Sequence, residues 1–132
     1  MLIAWGAYKK RLTRDYTNAY YLEDRYSHAK AHNEILKAEK IVILGSTMDA
    51  FDTASNIRTY LNSIGYHKTQ VTLLSDGQTE VASNMGQEVS RCITDMLQKH
   101  GVNVIDNAKI TAIHGDIKID SITFRTRNKN KV

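Results

Sequence analysis

Apolar positions along this chain fall into two rhythms. Short apolar-rich runs occur at 41–44 (IVIL), 71–74 (VTLL) and 102–105 (VNVI), and between them apolar residues recur every three or four positions. The runs suit strands covered on both faces, and the spaced residues suit helices with one buried stripe. Phe51, Ala54, Ile57, Leu61 and Ile64 predict a helix that closes at Gly65, a residue type that tolerates the positive φ needed just past a helix end. Met85, Val89, Cys92, Ile93, Met96 and Leu97 predict a second helix, ended by Gly101, with Asn84 and Gln87 spaced as a capping box. A stripe of this strength is expected in the core, and Cys92 with it. Strand, helix and strand joined by short returns imply right-handed parallel crossovers. Further on, Lys109–His114 and Ile119–Arg125 alternate apolar and polar residues, as paired antiparallel strands do, with Gly115-Asp116 at the turn.

The first third is less regular. Met1–Ala7 reads as a strand that breaks at Lys9-Lys10-Arg11, and Asn18–Leu22 reads as a short extended segment. A helix is expected from about His28 to Ala38, with Ser27 as its N-cap and Ala31, Ile35 and Ala38 on one side. His28 and His32 sit one turn apart, but a metal site needs a third ligand and the pattern offers none. Ser75–Ser83 is polar, with Gly77 as a turn signal. Together these elements predict an α/β fold: a Rossmann-like parallel sheet with flanking helices and an antiparallel strand meander.

Composition narrows the function classes. At 132 residues the chain is long enough for one domain with a core of its own. Its 42% hydrophobic and 24% charged content is that of an ordinary globular protein. No apolar run approaches the roughly 20 residues of a membrane span. A single cysteine excludes an internal disulfide and fits a reducing compartment. The net charge of +4 comes from the last eight residues, RTRNKNKV; the rest of the chain carries 14 basic and 14 acidic residues. A terminal basic run without aromatic stacking partners does not predict nucleic-acid binding. Residues 1–14 lack acids, as transit peptides do, yet they are strand-like, so a structural role is expected.

The candidate chemistry lies at Lys40–Gly65, where a strand runs into a tight turn and then an amphipathic helix, the geometry of a phosphate-binding βα turn. Where G-x-G-x-x-G would stand, the chain has Gly45-Ser46-Thr47-Met48-Asp49-Ala50, with one glycine of the three. Such a site needs helix N–H groups facing the pyrophosphate, small residues that let it approach, and an acid at the end of the second strand for the ribose.

The ordered segments give the pattern its specificity. Met1–Ala7 is similar to an L-I-A-T-G-A segment, Tyr21–Leu36 to a linker and helix, Lys40–Arg58 to the βα turn, Met85–Val102 to an L-G-x-E-V…G-V helix, and Lys109–His114 to a T-x-V-x-x-I strand. In this the chain resembles the NAD-binding domain of the pyridine nucleotide-disulfide oxidoreductases, and among them the apoptosis-inducing-factor-like flavoproteins. The resemblance implies residues 1–22 as the edge of a flavin domain plus linker, 23–125 as the NAD-binding domain and 126–132 as a basic tail. It implies a fragment of a larger enzyme, with FAD bound mostly by residues that the chain does not carry, and a mitochondrial setting, the alternative being cytoplasmic.

The same resemblance assigns roles within the site. Gly45, Ser46, Thr47, Met48 and Asp49 form the phosphate turn, Thr47 standing for the second glycine and Ala50 for the third. Asp52 stands for a glutamate on the nicotinamide side. Ser75 stands where the ribose acid is expected, with Asp76 beside it. The absence of an arginine there favours NAD over NADP. Trp5 replaces a threonine near the flavin. Chemically, Thr47 crowds the phosphates while offering them a hydroxyl, and the Asp49 carboxylate repels them. Two functions are expected as alternatives: an NADH-binding module of an FAD-dependent NAD(P)H oxidoreductase, or a degenerate, non-catalytic scaffold or partner-binding subunit. No catalytic acid, base or nucleophile is identified on the chain, so hydride transfer would need a flavin carried elsewhere. The expected partners are a dinucleotide and either a protein or the missing flavin domain.

Overall fold

The computed structural model describes residues 2–5, 12, 14–21, 25–76 and 84–126. Its centre is a parallel sheet built from the apolar runs. β3 (Lys40–Leu44), β4 (Gln70–Leu74) and β5 (Val102–Ile105) pair in register, Leu44 beside Leu74 and Leu74 beside Ile105. Alternation along each strand divides the sheet's two faces. Ile41, Ile43, Val71, Leu73, Val102 and Val104 point into one core with the helices. Leu44, Leu74 and Ile105 point into a second core on the opposite face.

Three helices serve the first face. α1 (Arg25–Ile35) reaches it through Ile35, α2 (Met48–Ser63) through Ala50, Phe51, Ala54 and Leu61, and α3 (Gln87–Lys99) through Leu97. The predicted stop of α2 holds: Gly65 has φ +84 and Tyr66 N–H returns to the Leu61 carbonyl at 2.8 Å. Gly101, at φ +90, ends α3 in the same manner. Arg58 on α2 is buried and locks the following loop. Its Nη1 donates to the Thr69 carbonyl at 2.6 Å and its Nη2 to the Tyr66 carbonyl at 2.9 Å.

The second face is covered by a hairpin of β6 (Ala108–His114) and β7 (Ser121–Thr126). A bulge between Ile110 and Ala112 resets the alternation, so Ile110 and Ile113, three residues apart, both join the second core. The connection spans 115–120, longer than the Gly115-Asp116 turn expected, and Ile119 is buried within it rather than on the strand. Asn18 clamps this loop from the N-terminal segment, its Nδ2 donating to the Ile119 carbonyl (3.0 Å) and its Oδ1 accepting from Ile119 N–H (2.8 Å).

The N-terminal residues join the same sheet. β1 (Leu2–Trp5) lies between β3 and β2 (Ala19–Tyr21), parallel to both, giving the order β2-β1-β3-β4-β5. The stretch read as a flavin-domain edge thus supplies two strands of the five.

Several local expectations are corrected. α1 is already running at Ser27, which therefore is not its N-cap, and it ends at Ile35, three residues early. α3 starts at Gln87 and not Asn84, because Gly86 at φ +90 and ψ 160 breaks the helical path, so the capping box does not form. Only Leu97 and half-buried Ile93 of the α3 stripe reach the first core. Met85, Val89 and Met96 are 57%, 40% and 50% exposed, and Cys92 is exposed with them. Gly77, Arg127, Lys129 and Lys131 lie outside the described residues.

Candidate functional site at the carboxyl edge of the sheet

The site residues converge on the ends of β3, β4 and β5. One position beyond the paired row Leu44–Leu74–Ile105, the register sets Gly45, Ser75 and Asp106 side by side. Backbone bonds hold that row: Gly45 N–H donates to the Leu74 carbonyl (3.1 Å) and Ser75 N–H to the Ile105 carbonyl (3.0 Å). The Ser75 carbonyl in turn accepts from Ala108 N–H at 2.8 Å, fixing the start of the hairpin.

Chain direction then locates a switch point. The chain leaving β3 enters α2 on the helix face. Leu12 and Tyr16, which lie between β1 and β2, pack into the second core on the hairpin face. Neighbouring strands whose connections diverge to opposite faces mark the position, beyond their carboxyl ends, where open α/β sheets bind ligands. Here that point lies at β1 and β3, and α2 begins just after β3.

The first turn of α2 is suited to an anion in its backbone. Thr47 is the N-cap, with φ −91 and ψ 165, and its carbonyl accepts from both Ala50 (3.1 Å) and Phe51 (3.3 Å). The N–H groups of Met48 and Asp49 precede those bonds and stand outside the helical ladder. The Thr47 hydroxyl makes no capping bond and is a buried atom without a partner. Ala50 is fully buried in the first core, fitting its place where close helix–strand packing is required. Gly45 does not adopt positive φ; among the described residues the glycines that do are Gly65, Gly86, Gly101 and Gly115. At this turn glycine supplies small size and not an unusual backbone.

The acidic groups separate. Asp49, Asp52 and Asp76 are exposed. Ser75 is 0% exposed and its Oγ has no hydrogen-bond partner, so the position of the ribose acid is sealed inside the protein. Asp106, which sequence reasoning missed, follows β5 directly beside Ser75. Asp106 is exposed too, yet partial desolvation of its carboxyl raises its pKa from the ordinary value. A signal was available: the residue one step beyond the third parallel strand shares the edge row with Gly45 and Ser75. Stretches 45–52, 75–76 and 105–107 hold four aspartates and no basic residue, an unfavourable field for phosphate. Two clefts among the described residues share no residue with this edge. One is lined by Tyr16, Tyr20, Lys30 and Glu34, the other by Lys37, Lys40, Tyr66 and Lys68. Among the described residues no group of three His, Cys, Asp or Glu could hold a metal ion, and no helix is long and apolar enough to cross a membrane. The His32 and Tyr60 rings meet at a tilt of 43°, their centroids 5.1 Å apart.

A five-stranded parallel sheet with helices on one face, a hairpin on the other and a helix N-terminus at its switch point defines a Rossmann-like α/β domain. The model of the pyridine nucleotide-disulphide oxidoreductase family matches residues 1–132. The chain therefore belongs to that family of oxidoreductases. Comparison with curated proteins finds no match to it.

Proposed function

We propose that this chain is the NADH-binding module of an FAD-dependent oxidoreductase, holding a nicotinamide against a flavin carried elsewhere. The observation that supports it is the switch point at β1 and β3 with the α2 N-terminus beside it. The residues fit a dinucleotide in part. The Met48 and Asp49 N–H groups would hold the pyrophosphate, while the Thr47 hydroxyl is buried and turned away from it. Exposed Asp76 would take the ribose hydroxyls in place of buried Ser75, and Asp52 would stand toward the nicotinamide. Asp106 would lie at the adenosine end. When bound, the two cofactors supply the hydride chemistry; this chain's contribution is binding and orientation. The apoptosis-inducing-factor-like subgroup and a mitochondrial setting belong to the same proposal and rest on sequence resemblance.

A second reading is a scaffold that has lost the cofactor. Sealed Ser75, the β-branched Thr47 and the aspartates at 49, 52, 76 and 106 favour it. Titration with NADH and NADPH, read by calorimetry or by the fluorescence of the lone Trp5, separates the two. The module reading expects saturable binding with NADH preferred. No binding up to millimolar NADH refutes it and leaves the scaffold.

A further inference from the structure

α3 carries its apolar stripe roughly a quarter turn away from the side it gives to the sheet, counting about 100° per residue. Val89, Cys92 and Met96 form the exposed strip, with Met85 just before the helix. Isolated exposed apolar residues are ordinary, but a row of them along one helix face marks an interaction surface. The charges around the strip identify its occupant. Glu88, Arg91, Asp95 and Lys99 are all exposed, and the ion pairs found among the described residues, Arg14–Asp116 and Lys37–Glu34, involve none of them. Glu88 and Lys99 are centred on residues 93–94, and Arg91 and Asp95 on residue 93. An antiparallel copy of the same helix therefore sets Glu88 against Lys99 of the second copy, twice, since these two flank the strip most closely. A parallel copy would oppose like charges.

We propose that α3 is the interface of a two-fold symmetric dimer of this chain, with Val89, Cys92 and Met96 packed across the axis and Glu88–Lys99 pairs on the rim. The pattern is self-complementary, as a two-fold interface requires. Cys92 lies near the axis, so the single cysteines of two copies come within reach of one short cross-linker. This dimer is independent of nucleotide binding.

Analytical ultracentrifugation of the full chain, from micromolar to millimolar concentration, provides the test. Dimers are expected, and a bismaleimide should join them through Cys92. Met96→Glu should abolish association and cross-linking with an unchanged circular dichroism spectrum. Glu88→Lys and Lys99→Glu should each weaken the dimer about tenfold, since two rim pairs turn from attraction to repulsion. An equimolar mixture of those two variants should associate again, because every rim pair is then opposite in sign. A chain that stays monomeric at all concentrations overturns the proposal and leaves the strip to a different protein. A dimer indifferent to Met96→Glu and to the charge swaps also overturns it, placing the interface elsewhere.

Discussion

Replacing Ser75 by alanine should stabilise the protein. The side chain is 0% exposed and its Oγ has no partner, so folding strips water from a hydroxyl and returns nothing. Leaving a buried polar group unpaired costs about 1–3 kcal/mol. Alanine keeps the Cβ and removes only the oxygen, which forfeits a small amount of dispersion, so a net gain of about 1 kcal/mol is expected. For a chain of this length that corresponds to a rise in melting temperature of roughly 4 °C. Urea melts of both proteins at pH 7, compared at constant m-value, measure it. The paired experiment is Ser75→Asp, which places a carboxylate at the expected ribose position. With no partner there, the charge should cost about 3–5 kcal/mol. Because protonation relieves that cost, the loss should shrink as pH falls. A Ser75→Ala protein less stable than the parent would refute the reasoning, showing that the hydroxyl has a partner such as an ordered water. A stable Ser75→Asp protein that binds NADH more tightly would show that the edge opens to place this residue in the site.

Three further outcomes follow from the same structure. Thr47→Gly should strengthen NADH binding several-fold in a calorimetric titration, because it removes the β-branched side chain from the phosphate approach; unchanged affinity would place the nucleotide elsewhere. Asp106→Asn should raise stability at neutral pH. Burial raises the folded-state pKa of Asp106 above its ordinary value of 3.8, so the penalty is absent below that value and grows as pH rises through the folded pKa. The advantage of the variant, read from urea melts across pH 3–7, should accordingly vanish in acid. Arg58→Met should destabilise by about 2–4 kcal/mol, since the apolar stem is retained while the carbonyls of Tyr66 and Thr69 lose their charged donors; a loss under about 1 kcal/mol would show that water replaces both bonds.

Much of the fold is legible in local sequence because its elements are self-announcing. β3, β4 and β5 are short, continuous or nearly continuous apolar segments, and α2 combines a clean stripe with a glycine at its end. Each such element is defined by neighbours within a few positions, and its structure follows from burial of one face and the conformational freedom of Gly65. The βα turn at 45–50 was legible for the same reason, being a contiguous strand, turn and helix.

Tertiary structure decided the remainder. Periodicity shows that a helix has an apolar face, but not which body covers it; α3 has the strongest stripe in the chain and turns most of it to solvent. Ser75 reads as a polar loop residue, and only its place between paired strand ends and the start of the hairpin seals it from water. The bulge in β6 depends on β7, and the site of β1 between β2 and β3 depends on partners far along the chain. The residue patterns determined a parallel α/β domain with a strand, tight turn and helix at its centre. The switch point above β1 and β3, the buried serine and the bare face of α3 come from pairings between distant segments, which local sequence does not encode.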